Sequence, residues 1–428
     1  MSSLFKVGTI NNISRVGLKR FPKNIYQLGA LDEEKPMEAP MGILLRSHKL
    51  QSDQVDKSVS AIVRCGAGTN NIPVNEMTGR GIPVFNTPGA NANAVKELVL
   101  CSLFLSARNI TGGINHVQKL TDEEGFDVAG GRVEQDKKLF AGTEVKGKTI
   151  GIIGLGAIGA KVAMAASNLG MKVLGYDPAL SIESAWSLDG NKVSRVNEIE
   201  TIAAASDYIS LHLPVIKGVT EGIVGEQFLS MMKPTASLLN FSRGELVDHE
   251  ALRAVMDQGK FEGMYCTDFP NKHVQGHDRC IAIPHLGAST EEAEENSAAI
   301  AADTLRDFLE NGTIKNSVNF PTTLLKRRKN DATRIAIVNE NTSGMLMKIN
   351  NLLYEAGLNV DQQINTSRDK ISYNVIDVDE VVGMDDFTPL HNQLESIEGI
   401  KSVRILAGDD RDHHSYRASV FPRQLSRI

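Results

Sequence analysis

The run Thr149-Ile-Gly-Ile-Ile153, followed at once by Gly154-Leu-Gly156-Ala-Ile-Gly159, leaves this 428-residue chain few choices of fold. Such an apolar run reads as a buried strand, and a G-x-G-x-x-G turn opening a helix requires a βαβ unit. The three glycines serve separate ends: a tight turn, room for backbone to approach a pyrophosphate, and close helix-strand packing. The helix N-terminus then offers unpaired N–H groups and partial positive charge to the phosphates. A second strand, Lys172–Tyr176, ends in Asp177, 18 residues past Gly159. Near that distance a carboxylate meets the adenosine ribose 2′-OH and repels a 2′-phosphate. Pro178 follows it rather than an Arg, so NAD is expected over NADP.

Composition narrows the classes further. The formal net charge is −6, so no global basic field invites nucleic acid or an anionic membrane. The longest apolar run, Thr149 to Ala160, is broken by glycines and too short to span a bilayer. The first 30 residues lack the continuous apolar segment of a signal peptide. Cys65, Cys101, Cys266 and Cys280 form no CxxC pair, which fits free thiols in a reducing, cytoplasmic setting.

Along the chain, strands are expected at Gly42–Leu45, Ala61–Arg64 and Val84–Asn86, and a helix over Asn93–Arg108. Further strand-like runs follow at Tyr208–Leu213, Ser237–Phe241, Met264–Thr267 and Ile281–Ile283. An Ala-rich helix over Thr290–Leu309 is opened by Ser289-x-x-Glu292, which reads as a capping box. Asn-Phe-Pro at 319–321 and the basic cluster Lys326–Lys329 mark a solvated linker over 321–330. Residues 331–407 then read β-α-β-β-α-β, with strands at Arg334–Val338, Leu358–Asn365, Ile371–Val378 and Val403–Leu406. Helices at Gly344–Ala356 and Asp386–Ile397 complete a ferredoxin-like unit, and residues 408–428 form a polar tail. The fold class is α/β: two doubly wound parallel-sheet domains plus a C-terminal ferredoxin-like α+β domain.

Three segments at about 30-residue spacing end strands and so meet along one sheet edge, where ligands bind in such folds. They are Leu211-His-Leu213-Pro214, Asn240-Phe241-Ser242-Arg243-Gly244 and Pro284-His285-Leu-Gly287-Ala-Ser289. Arg243 offers a planar fork for a carboxylate. His285 can take a hydroxyl proton as hydride leaves for a nicotinamide. His273 and His277 stand at i, i+4 but in a glycine-containing loop, and read as solvated residues; no metal is expected.

Together these segments resemble the D-isomer-specific 2-hydroxyacid dehydrogenase family over roughly residues 40–407. The resemblance implies a coenzyme domain inserted into a substrate domain, here 99–289 within 1–98 plus 290–320. It implies cofactor contacts at Gly154, Gly156, Ala157, Ile158, Gly159, Asp177, Leu213, Pro214, Phe241, Ser242, Arg243, Asp268, His285 and Gly287. It implies that Arg243 holds the substrate carboxylate and that His285 moves the proton. One position departs. The family places a Glu in a D-V-F-x-x-E-P stretch, whereas this chain reads Thr267-Asp268-Phe269-Pro270-Asn271-Lys272. Lys272 falls where the Glu belongs, and a Lys cannot hold His285 protonated. Asp268 then stands for either a nicotinamide-amide contact or part of the missing acid role.

Leu45-Arg46-Ser47, Cys65-Gly66-Ala67-Gly68-Thr69-Asn70 and Phe85-Asn86-Thr-Pro88-Gly-Ala-Asn91 are similar to the branch that oxidises 3-phospho-D-glycerate to 3-phosphohydroxypyruvate, the opening step of serine synthesis. Arg46 is the candidate for the substrate phosphate, and the Gly66–Thr69 turn for an anion nest; Ser47, Gly66, Ala67, Gly68 and Asn91 complete the candidate substrate set. The stretch Val338-Asn339-Glu-Asn341-Thr-Ser-Gly344 resembles the opening of an ACT domain, which implies pairing between subunits in a homodimer or homotetramer. Asn339, Asn341 and Asn359 match that family's effector positions, with L-serine the implied ligand. The alternatives are a dehydrogenase of another 2-hydroxy acid (glycerate, glyoxylate or D-lactate), or a non-catalytic, NADH-sensing corepressor on the same fold.

Overall fold

Short runs of branched side chains become buried parallel strands in the computed structural model, which describes residues 4–326, 332–379 and 387–406. The chain divides into two compact units, residues 1–90 with 294–428, and residues 91–293.

In the first unit, β1 (Phe5–Ile10), β2 (Tyr26–Ala30), β3 (Gly42–Leu45), β4 (Ala61–Arg64) and β5 (Val84–Phe85) form a parallel sheet ordered β2-β1-β3-β4-β5. The apolar face of helix Glu291–Asn311, with Ala298, Ala301, Ala302, Leu305 and Phe308, packs on Phe5, Val7, Leu44 and Val63. Gly17 makes the close approach possible, since a Cβ there would stand 2.5 Å from the Ala298 carbonyl oxygen.

The second unit carries seven parallel strands: β6 (Thr149–Ile153), β7 (Lys172–Tyr176), β8 (Val193–Arg195), β9 (Tyr208–Leu211), β10 (Ser237–Asn240), β11 (Tyr265–Thr267) and β12 (Cys280–Ala282). Their order, β12-β11-β10-β9-β6-β7-β8, reverses direction between β6 and β9. That switch point opens a crevice at the carboxyl ends of the strands, the place where doubly wound sheets take ligands.

A third sheet, antiparallel and ordered β14-β15-β13-β16, belongs to the first unit. It comprises β13 (Thr333–Glu340), β14 (Val360–Arg368), β15 (Ile371–Val378) and β16 (Ile400–Leu406), with helices Met345–Glu355 and Thr388–Ser396. Strand alternation gives the sheet two apolar faces. Ile335, Ile337, Ile376 and Val378 face the two helices, while Ala336, Val338, Tyr373 and Val375 join the core of the five-stranded sheet. Between them Arg334, buried, donates to Asp377 at 2.6 and 2.8 Å.

The expected fold class is the one observed. Gly42–Leu45, Ala61–Arg64, Thr149–Ile153, Lys172–Tyr176 and Ile371–Val378 form with the bounds expected, the other expected strands shift at an end by one to three residues, and β1, β2, β8 and the helices Ile110–Glu124 and Phe126–Asp136 add to the elements expected. The basic cluster beyond Lys326, the start of the expected helix at Asp386 and the polar tail lie outside the described residues. No helix among the described residues is long and apolar enough to cross a membrane.

The capping expectation needs correction. Helix Glu291–Asn311 starts one residue later than the spacing implies, and its cap is Thr290, whose Oγ1 accepts the Ala293 N–H at 3.1 Å. Ser289 instead donates its N–H to the Leu286 carbonyl. Thr290→Ala should therefore cost about 1 kcal/mol of stability, read as a lowered denaturation midpoint, whereas Ser289→Ala should change it by less than about 0.5 kcal/mol. The opposite order would restore Ser289 as the cap.

Candidate active site

At the switch point the glycine turn is enforced sterically. Gly154 has φ +91°, and a Cβ there would meet the His212 carbonyl oxygen at 2.4 Å. A Cβ at Gly159 would stand 1.9 Å from the Gly154 carbonyl oxygen. Gly156, the N-cap of helix Ala157–Asn168, faces open space, with nothing within 4 Å of its missing Cβ. Ala157 and Ile158 form the first turn, so their N–H groups belong to the unpaired set at the helix start.

Asp177 is fixed in front of this turn. Its carboxylate accepts the Leu155 N–H and the Ala179 N–H, each at 2.8 Å. Beneath the turn lies His212, whose Nε2 shares a 2.8 Å hydrogen bond with the Ser210 hydroxyl. Burial pushes the His212 imidazole down to about 3, so it stays neutral. Its Nδ1 is buried without a partner among the described residues.

Along the same edge, β10, β11 and β12 lie side by side and deliver the other candidates. Leu213 and Pro214 follow β9, and the Leu213 carbonyl accepts the Ser242 hydroxyl at 2.6 Å. Phe241 is buried. Arg243 sits three residues past β10, its carbonyl held at 2.8 Å by the side-chain amide of buried Asn240. One guanidinium nitrogen of Arg243 donates to the Ser242 carbonyl at 2.7 Å, and the side chain is otherwise exposed. His285 sits three residues past β12, exposed, with its ring 4.6 Å from that of Phe269. Asp268, just past β11, is buried and accepts the Gly287 N–H at 3.0 Å. Burial raises its carboxyl, while the Gly287 N–H, His285 and Arg243 pull it back.

Lys272 is exposed on the turn after Phe269. His273 and His277 turn to different partners, Glu250 at 3.5 Å and Asp257 at 3.8 Å. Among the described residues no group of three or more His, Cys, Asp or Glu side chains could hold a metal ion.

The first unit carries a second cluster at the ends of β3 and β4. The Arg46 guanidinium pairs with Glu294, and the Arg46 carbonyl accepts from Arg64 at 3.2 Å and from Asn71 at 3.1 Å. The N–H groups of Ser47 and His48 go to the Asn11 side chain. The Arg64 guanidinium lies over the Gly66 turn, 2.6 Å from where a Cβ would be. The Ala67 carbonyl accepts from Asn86 at 2.5 Å, and the Gly66 carbonyl from the Thr87 N–H. Asn91, in the second unit, is the N-cap of helix Ala92–Arg108 but makes no side-chain capping bond. Asn11 and Asn71 went unread in the sequence because each straps a backbone N–H or carbonyl far away in the chain, while Arg64 and Asn240 were read there only as strand-end residues.

In the third sheet, Asn339 is buried and shares a 2.7 Å hydrogen bond with Asn374. Asn341 donates to the Asp369 carbonyl, and Asn359 to the Asp379 carboxylate. Register pairs Glu340 with Ile371 and Thr333 with Val378, which in turn pairs with Val360. Asn359 therefore lies at the opposite end of β13 from Asn339 and Asn341, about 20 Å away at strand rise. One chain does not bring the three together.

Residues 110–287 match the family model of the D-isomer specific 2-hydroxyacid dehydrogenase, NAD binding domain. A D-3-phosphoglycerate dehydrogenase of Haemophilus influenzae is 32% identical over 398 residues, covering 89% of this chain and 91% of that protein. One of Escherichia coli K12 is 32% identical over 373 residues, 83% of this chain and 85% of that one. The crystal structure of NAD+-bound 3-phosphoglycerate dehydrogenase from Entamoeba histolytica superposes with a TM-score of 0.56 at 28% identity, covering 74% of this chain and 99% of that one. With its switch-point crevice, glycine turn and strand-end Arg and His, this chain belongs to the NAD-binding D-isomer-specific 2-hydroxyacid dehydrogenases.

Proposed function

We propose that this chain oxidises 3-phospho-D-glycerate to 3-phosphohydroxypyruvate with NAD, the first step of L-serine synthesis. The observation that carries the reading is the placement of Arg243 and His285 past neighbouring strand ends, on the edge where the glycine turn opens. The names of relatives matched over 89% and 83% of the chain support the substrate.

The residues fit a dinucleotide. The open space before Gly156 admits the pyrophosphate to the helix N-terminus, and Asp177 is already oriented toward that turn. Leu213, Pro214, Phe241 and Ser242 would line the nicotinamide side. When bound, NAD supplies the hydride acceptor. Arg243 binds the substrate carboxylate through the guanidinium donors that Ser242 leaves free. His285 takes the C2 hydroxyl proton as the hydride departs. Within the first unit, Arg46, its fork held by Glu294, and the Gly66–Gly68 turn form an anion-binding cluster suited to a phosphate.

We further infer a homo-oligomer. Phe104, Ile110, Ile114, Val117 and Leu139 are exposed apolar residues, and Ile110, Ile114 and Val117 recur at i, i+4, i+7 along one helix face. A second copy covers that stripe in this reading. It also completes the L-serine site, because Asn339 and Asn341 of one chain need Asn359 of another. The four free cysteines fit a cytoplasmic protein.

An NADH assay over 3-phosphoglycerate, glycerate, glyoxylate and D-lactate tests the assignment. Turnover should be fastest with the phosphorylated acid. His285→Ala should lower kcat at least about 100-fold, and Arg46→Ala should raise KM about tenfold or more for that substrate alone. Equal rates on unphosphorylated acids would point to another 2-hydroxy acid. NADH binding without turnover on any acid would favour the corepressor reading that Lys272 encourages. Millimolar L-serine should lower the initial rate, and a flat titration would leave the C-terminal domain a plain assembly module.

A further inference from the structure

We propose that Asp268, rather than the side chain at 272, is the carboxylate that balances the positive charge His285 acquires in catalysis. This rests on the dehydrogenase reading above and adds a positioning residue to it.

The topology puts Asp268 between the two reacting groups. β11 lies between β10 and β12. Arg243 stands three residues past β10, Asp268 one past β11 and His285 three past β12. Segment 268–269 holds the His285 loop at two points. Asp268 Oδ2 accepts the N–H of Gly287, two residues beyond His285, at 3.0 Å. Phe269 packs its ring 4.6 Å from the imidazole. Gly287 is suited to this contact, since a Cβ there would come within 3.2 Å of Oδ2.

The other oxygen, Oδ1, is buried with no hydrogen-bond partner among the described residues. A buried carboxylate is costly unless a cation faces it. The charged groups whose electrostatics reach it are His285 and Arg243. Lys272, in the slot where the family carries its Glu, is exposed to solvent and of the wrong sign.

The step balances in protons and electrons. The C2 O–H bond breaks and its proton goes to the His285 imidazole; the C2–H bond breaks and its electron pair leaves with the hydrogen for the nicotinamide. C2=O forms, and the charge of the new imidazolium is balanced by the Asp268 carboxylate, which holds the His285 loop through the Gly287 N–H. Arg243 stays paired with the substrate carboxylate.

Asp268→Asn keeps shape and an acceptor for Gly287 N–H but removes the charge. The imidazolium then loses its partner, so the acid limb of kcat/KM for oxidation should move to lower pH by about one unit, with NADH affinity by fluorescence within about twofold of wild type. The NMR titration of the His285 ring should move the same way, a readout that does not need turnover. Should Asp268→Asn fail to fold by circular dichroism, Asp268→Ser replaces it. An unmoved limb and unmoved ring titration would overturn the proposal, as would a shift produced by Lys272→Met and not at position 268. A large loss of NADH affinity with an unmoved limb would make Asp268 a cofactor anchor instead. Absence of turnover in the wild type would sink the dehydrogenase reading itself, and the ring titration would still judge Asp268.

Discussion

The hydrogen bond from the Leu155 N–H to the Asp177 carboxylate ties the glycine turn after β6 to the end of β7. It fixes a backbone that glycine alone can trace, because Gly154 sits at φ +91° and Gly159 has its neighbour's carbonyl where a Cβ would be. With that turn set, the helix N-terminus points its free N–H groups into the crevice, and everything else in the site is a matter of which strand ends beside it. The order β9, β10, β11, β12 then lays Leu213, Arg243, Asp268 and His285 along one edge without any of them being near another in sequence.

The C-terminal sheet is not a loosely tethered module. Its Tyr373, Val375, Ala336 and Val338 share a core with Phe85, Phe308 and Phe320. Its polar side chains close the carbonyl end of helix Glu291–Asn311: Arg404 donates to the carbonyls of Phe308 and Leu309, Arg334 to that of Asn311, and Tyr373 to that of Gly312. The last carbonyls of a helix have no partner within it, and here another element of the same unit supplies them. Arg404 also stacks over the Phe308 ring at 4.2 Å, so the buried guanidinium is held by a helix end and an aromatic face. The other end of that helix carries Glu294, the partner of Arg46.

The parts of this fold that depend on local chemistry were readable from the chain. Glycine spacing, Asp177 and the buried runs at β3, β4, β6 and β7 each follow from short-range sterics or periodicity. Three kinds of feature were not. β1 and β2 are longer than β3 and β4 but mix polar residues into the run, Lys6 and Thr9 in one and Gln27 in the other, so their pattern is weak until tertiary packing selects it. The cap at Thr290 differs by one residue from the spacing rule because helix Glu291–Asn311 starts at Glu291. The strap Asn71 acts on the carbonyls of Arg46 and His48, whose nearness only the folded chain reveals. The substitution at Lys272 was visible in sequence, and so was Asp268 as one alternative for the missing acid role; its burial and its bond to Gly287 were not, because they depend on two strand ends brought side by side by the fold.

The turn at 154–159, with Asp177 before it, is the proposed dinucleotide seat on which the whole functional reading stands. Equilibrium titration of NADH and NADPH fluorescence against the wild type and Gly159→Ala tests it most directly. NADH should bind at least about tenfold tighter than NADPH, and its binding should be lost in the variant, whose methyl would stand 1.9 Å from the Gly154 carbonyl oxygen. Equal affinity for the two dinucleotides, or undiminished NADH binding by a folded Gly159→Ala protein, would contradict it.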